Sequence, residues 1–526
     1  MDGIAESRYG ELESTKDSYV QTAYDASELT IPSLFPRERS TRRLATPFQG
    51  IGARGVNNLA SKLLLALVPP NSPFFRLKID EATLAELSED PAIKTQVEKS
   101  LATIERSVMG EIETSGDRIK LFEALKQLIV VGSVLIYIDS ITETIRVYQL
   151  DKFVVKRDPN GQVIEAVVRE WVSPDSVPEQ IRGQVNAAAK ETDEKTVALF
   201  THIKRTGDKF NVHQEVKGVT VPKSSGTFPI DKSPWLFLRF TQVDGEDYGR
   251  SFVEEYYGDL HSLEKLTKAI VEGSAAAAKV LFLTDPNGTT RAKTLAESPN
   301  GAIREGSMRD ITVLQLDKYA DFRVTLDTMQ RIEERLSYAF MLNSSVQRKG
   351  ERVTAEEIKY MAGELEDTLG GVYSLLSQEL QLPYVNRRMA IMERKGRLPS
   401  LPKDTIKPAI VTGMEALGRG QDLRKLDLFI GGIRETLGDE ALQKYVNVGD
   451  YIARRATAVG LDTDGLIRSD EELQQEEERQ LEAQQQAQQQ EMLKSAIPPG
   501  IGAASNLMQE GMKQDGITQE GTAVQG

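Results

Sequence analysis

The sequence predicts an α+β fold, mainly helical, on two observations. Apolar residues recur at three- and four-residue steps through the first 131 residues and again between Phe252 and Leu380, the period of helices with one buried face. Between those stretches, from Val134 to Phe240, the chain turns to short runs rich in β-branched and aromatic residues with turn signals between them. Strands gathered in one block of a helical chain, rather than alternating with helices, favour antiparallel pairing.

Residues 6–30 read as an amphipathic helix carrying Tyr9, Leu12, Tyr19, Tyr24 and Leu29. The segment from Ile31 to Pro36 breaks it, because its two prolines remove donors and restrict the backbone. Arg37, Arg39, Arg42 and Arg43 follow. Such a cluster can hold phosphate; a solvated loop is the plainer reading. A helix over 53–68 ends at Pro69-Pro70. Further helices fill 81–115, with Asp90 as N-cap and Pro91 at the first position, and another covers 118–131. The expected strands are 134–138, 145–150, 153–157, 163–172, 197–204, 210–216 and 235–240, with Asp158-Pro159-Asn160-Gly161 as a hairpin turn. Pro178–Glu194 interrupts them as a helix or exposed insertion.

The stretch from Asp247 to Pro383 organises the chain. A first long helix starts near Gly249-Arg250-Ser251, shows Phe252, Tyr256, Leu260, Leu263 and Ile270 on one face, and ends in the small residues Ala275–Ala278. A small β-containing tip occupies 279–322, with the turn Asp285-Pro286-Asn287-Gly288. A second helix carries Leu326, Met329, Ile332, Leu336 and Phe340. The polar loop Asn343–Arg352 has no apolar period and is longer than two returning helices need. A third helix opens with Thr354 and Glu357 at capping-box spacing, passes Leu365, Leu369, Val372, Leu376 and Leu380, and is expected to stop at Pro383. Leu398–Lys407 reads as a linker, 413–468 as two or three helices, and Glu471–Leu493 as helix-forming; beyond Ile497-Pro498-Pro499 the tail is expected to be disordered.

The 526 residues suggest two to four domains. There is no cysteine, which excludes disulfides and thiolate metal sites. Residues 1–20 are polar and acidic, without the pattern of a leader. The longest apolar runs, Leu63–Val68 and Leu128–Ile138, fall well short of the roughly 20 residues of a membrane span, so no membrane partner is expected. A formal charge of −14 argues against a surface that grips nucleic acid everywhere, but suits one past which DNA slides.

Signals of chemistry are sparse. No GxxxxGK[ST] phosphate loop occurs; Gly370-Gly371, expected inside a helix, and Gly431-Gly432 lack the lysine. His202, His213 and His261 are too far apart in sequence for a helical zinc pair and read as surface or packing residues. Glu356, Glu357, Glu364 and Asp367 form a carboxylate cluster of the kind used by two-metal nucleases, although such a cluster is more often a solvated helix face. The reading favoured is not an enzyme and needs no cofactor; its rivals are a metal-dependent nuclease using those carboxylates and an internal scaffold or ejection protein.

The run AFMLNSSVQRKGERVTAEEI (339–358), followed by ELEDTLGGVYSLLSQELQLP (364–383), resembles the portal proteins, or head-to-tail connectors, of short-tailed bacteriophages. So do IPSLFP (31–36), GARGVNNLASKLLLAL (52–67), LFEALKQLIVVG (121–132), DGEDYGRSFVEEYYGDL (244–260) and GMEALGRGQDL (413–423); the matches are collinear over about residues 10–470. The resemblance implies a mainly helical portal fold with long stem helices, an antiparallel β-rich wing, a clip and a helical crown. By position, the wing takes 1–250, the stem helices 251–278 and 323–342, and the clip 279–322. A channel loop takes 343–354, a wing helix 355–399, the crown 400–470, and a Gln/Glu-rich helix with a disordered tail 471–526. It implies a homo-oligomeric ring, usually of about twelve subunits, at one capsid vertex. The implied partners are the terminase large subunit, a tail adaptor or tail tube protein, the major capsid and scaffolding proteins, and double-stranded DNA passing through. The channel-loop residues would be Asn343, Gln347, Arg348, Lys349 and Arg352.

Overall fold

The computed structural model describes residues 3–37, 44–70, 74–79, 91–191, 196–277, 281–314, 319–342, 368–399, 406–410 and 428–436, with a few single positions besides. The chain divides into two units at Leu417/Gly418. In the second, 428–436 is helical; everything below concerns the first.

Helices α1 (Ile4–Glu28) and α2 (Ile51–Leu67) precede strand β1 (Phe75–Ile79), and α3 (Pro91–Thr114) and α4 (Asp117–Val131) follow it. The strand block comprises β2 (Ser133–Ile138), β3 (Ile145–Tyr148), β4 (Phe153–Arg157), β5 (Val163–Val172), helix α5 (Glu179–Glu191), β6 (Val197–Thr206), β7 (Lys209–Val216), β8 (Val219–Thr220), β9 (Gly226–Pro229) and β10 (Trp235–Arg239). A six-stranded sheet runs β4-β5-β6-β7-β8 with β9 also on β7, and a three-stranded one runs β10-β2-β3. Every pairing is antiparallel. The β4–β5 hairpin turns where the sequence placed it: Gly161 has φ 78° and its N–H donates to the Asp158 carbonyl at 2.8 Å.

The segment from 252 to 339 is α6 (Phe252–Glu255), α7 (Tyr257–Ala277), β11 (Leu281–Thr284), the short α8 (Ala292–Ala296), β12 (Ile311–Leu314) and α9 (Tyr319–Ala339). Ser251 caps the start, its hydroxyl accepting the Glu254 N–H at 3.0 Å. The first long helix is therefore interrupted at Tyr256, where the backbone leaves helical geometry. β11 and β12 pair antiparallel from Leu281↔Leu314 to Thr284↔Ile311, so the expected tip contains a two-stranded hairpin.

Three expectations need correction. Gly370 breaks the third helix with φ 21° and ψ −88°, and α10 (Gly371–Leu376) starts after it. Pro383 does not stop that helix. A π-turn over Ser377–Gln381 leads into α11 (Leu382–Arg394), the Leu382 N–H reaching the Ser377 carbonyl. Pro383 thus falls in the first turn of α11, directly after the π-turn, where the change of hydrogen-bond register accommodates a residue without an N–H. Within the expected 398–407 linker a strand begins, β13 (Ile406–Ile410), which pairs with β1 in the register Phe75↔Ile410 to Ile79↔Ile406.

One large core unites α2, α4, the β10-β2-β3 sheet, the root of the α7–α9 pair and the third helix, from Val56 and Leu63 through Leu128 and Ile136 to Phe340, Leu365 and Leu376. A separate cluster of Ala5, Tyr9, Leu12, Val154, Val167 and Phe200 seats α1 on the six-stranded sheet.

Candidate functional site: the helix pair and the anchors of the channel loop

Helices α7 and α9 pack antiparallel: Arg335, near the end of one, pairs with Asp259, near the start of the other, at 2.7 Å. Their shared stripe is buried at the root, where Leu260, Leu263, Ile332 and Leu336 lie in the core. Further out the apolar side chains Val271, Val324 and Leu326 are exposed. At the root, Phe252 meets Phe340 edge-on, centroids 5.4 Å apart, with Phe240 and Tyr256 around them. A cleft of about 550 Å³ opens beside this cluster, between Thr241, Phe252 and Glu255 on one side and Leu369, Val372 and Gln378 on the other.

Asn343, Gln347, Arg348, Lys349 and Arg352 lie outside the described residues, as do Glu356, Glu357, Glu364 and Asp367. The anchors on either side of that stretch are described. On the incoming side α2 holds the end of α9. The Asn58 amide donates to the Phe340 and Met341 carbonyls at 3.0 and 3.1 Å, and the Lys62 ammonium reaches the Met341 carbonyl at 3.2 Å. These side chains satisfy helix-terminal acceptors that have no partner of their own. Met341 turns the chain with φ 54°. Gly55, one turn before Asn58, lets the Phe340 ring come so close that a Cβ there would lie 2.5 Å from it. Gly55, Asn58 and Lys62 are the functional residues that periodicity alone missed: it showed a helix over 53–68 but not what its polar edge would meet.

The start of α2 is tied to α7 as well. Glu264 of α7 accepts the Phe48 and Gln49 N–H groups at 3.0 and 3.1 Å.

On the outgoing side the third helix is clamped by buried charge. Glu379, in the π-turn, accepts the Arg239 guanidinium at 2.6 and 2.9 Å and the Arg239 backbone N–H at 2.9 Å, with Arg157 at 3.6 Å. Burial lowers the Arg157 pKa to about 10, against the pull of Glu379. In α11, Arg388 and Tyr384 both bond the Asp117 carboxylate at the start of α4, and Arg387 donates to the Ile138 carbonyl at 3.2 Å. Burial raises the Tyr384 pKa well above its ordinary value.

The other candidates resolve plainly. Arg37 is occupied by Asp25, Glu28 and Gln21 on α1; Arg39, Arg42 and Arg43 lie outside the described residues. His261 stacks on Tyr257, whereas His202 and His213, distant in sequence, face each other across β6 and β7. Among the described residues no group of three His, Asp or Glu side chains could hold a metal ion, and no helix is long and apolar enough to cross a membrane.

The family described as bacteriophage head to tail connecting protein matches residues 3–467. The portal protein of Escherichia phage T7 is 43% identical over 482 residues, 90% of this chain and 89% of that protein. That of Enterobacteria phage T3 is 43% identical over 482 residues, 89% of each. That of Enterobacteria phage SP6 is 30% identical over 504 residues, 94% of this chain and 95% of that protein. With a family match over residues 3–467 and relatives up to 43% identical along most of its length, the chain belongs to the bacteriophage head-to-tail connecting protein family.

Proposed function

We propose that this chain is a phage portal protein: a structural ring at one capsid vertex through which DNA enters and leaves the head. It is a component of the virion at the head–tail junction and not an enzyme. The single observation that carries the reading is the antiparallel α7–α9 pair with a β-hairpin tip, buried at its root and exposing Val271, Val324 and Leu326 along its outer length. A helix of 21 residues rises about 32 Å. A pair of that length with unburied apolar side chains is suited to standing beside copies of itself, and head-to-tail contacts of one patch with another close into a ring.

In this reading the helix pair is the stem and residues 279–322 are the clip, which docks the terminase large subunit and later the tail adaptor. The strand block belongs to the wing and 400–470 to the crown. The loop over 343–354 reaches the bore, where Arg348, Lys349 and Arg352 touch phosphate while the acidic remainder keeps DNA from sticking. The ring assembles in the host cytoplasm with the capsid and scaffolding proteins. Negative-stain microscopy of purified protein tests the proposal. Closed rings of about twelve subunits with an opening wide enough for duplex DNA are expected; a monomer, or an open fibre, would refute it.

A further inference from the structure

The first turns of α1 sit on the six-stranded sheet over a cluster of ionisable groups. His202 of β6 and His213 of β7 are directly paired, ring centroids 5.1 Å apart. His202 Nε2 lies 2.8 Å from Glu165 of β5, and His213 Nε2 lies 3.0 Å from Glu215 of β7. Both carboxylates also grip α1. Glu165 accepts the Arg8 guanidinium at 2.6 and 3.2 Å, and Glu215, fully buried, accepts the Ala5 N–H at 2.8 Å. Glu11 bonds Arg8 from the same helix, and Lys156 and Lys204 stand opposite Glu165 in register, both exposed. Arg169 pairs with Glu13 at 3.2 Å further along.

We propose that His202 and His213 form an acid-sensitive clasp that fastens the first turns of α1 to the wing sheet and releases them when His202 takes up a proton. The argument is geometric. With Nε2–H donating to Glu165, the neutral ring fits: its Nδ1 is buried and has no hydrogen-bond partner among the described residues. A proton on Nδ1 creates a buried donor with no acceptor and adds positive charge beside Arg8 and His213. Water can satisfy that donor only if the cover over this face, α1, lifts. Burial indeed holds His202 below its ordinary pKa in spite of Glu165. The sign follows. A depressed imidazole stabilises the closed form above about pH 6.5, and that contribution is lost as pH falls through the lower value. Glu165 stays ionised through this range, because Arg8 and His202 hold its pKa down.

Hydrogen exchange read by mass spectrometry on the assembled protein tests the clasp. Between about pH 7.5 and pH 5.0, corrected for intrinsic rates, protection of residues 4–12 should fall roughly five-fold or more, with residues 121–131 of α4 unchanged. His202→Gln keeps a donor for Glu165 but cannot titrate, so it should hold protection constant. His213→Gln removes a like-charge neighbour and should move the midpoint of release to higher pH. The proposal is overturned if wild type shows no loss, if α4 loosens equally, if His202→Gln releases α1 as wild type does, or if His213→Gln leaves the midpoint unmoved or lowers it.

Discussion

Lys16 and Glu379 are two charged side chains set into the protein interior, one with neutral partners and one with charged ones. The Lys16 ammonium is buried under α1 with three neutral partners, the Tyr9 hydroxyl and the Phe153 carbonyl at 3.2 Å and the Asp151 carbonyl at 3.3 Å. Burial lowers its pKa from 10.5 to about 8. Between those values the unfolded chain holds more protons, so wild-type stability rises with pH relative to a variant that cannot titrate. We expect the stability of wild type minus that of Lys16→Met, from urea unfolding, to increase by on the order of 2 to 3 kcal/mol between pH 7 and pH 10. A flat difference would show that the ammonium is hydrated. Glu379, by contrast, is the sole carboxylate bonded to Arg239 among the described residues. Glu379→Ala leaves that buried guanidinium unpaired and should cost about 3–5 kcal/mol, with Glu379→Gln in between; equal melting of the three proteins would refute the clamp.

Among the elements, those with one strong period were legible and those that depend on a distant partner were not. The strands at 153–157 and 163–172 were expected at the bounds they take, because alternation and the Asn160-Gly161 turn act locally. The pairing of β1 with β13 was not, because nothing near Phe75 names Ile410, and Pro408 in the strand reads locally as a breaker. The π-turn escaped for a similar reason: Glu379 is drawn off the regular helix by Arg239, a residue of another element. His202 and His213 were judged by sequence spacing, which a hairpin register overrides. The polar surplus of 343–352 was legible, whereas the Asn58 and Lys62 caps were not, since a polar helix face looks the same whether it meets water or a carbonyl. Because α9 and α11 are each held by bonds outside that loop, shortening Asn343–Arg352 should leave rings intact in micrographs. Nuclease-protected DNA in assembled heads should nonetheless fall several-fold. Failure to form rings would contradict a loop in the bore.

For the molecule as a whole, the proposed ring puts the subunit contact on the exposed outer length of the helix pair. Val324 and Leu326 are exposed at the far end of α9, and Tyr338 near its root. Val324→Asp combined with Leu326→Asp should abolish rings on size-exclusion chromatography while changing the urea midpoint of the monomer little, since surface changes usually stay within about 0.5 kcal/mol. Rings of normal size from that variant would place the subunit contact elsewhere.

The long-range pairing of β1 has a consequence for how the protein is made. Phe75 emerges from the ribosome far ahead of its partner Ile410. At roughly 5–20 residues per second, translation leaves that strand waiting about 20 to 70 s. Throughout that interval the nascent polypeptide carries an open strand edge, a template for the wrong neighbour on a crowded polysome. The late-arriving β13 closes it: only chains synthesised past residue 410 can shut that seam.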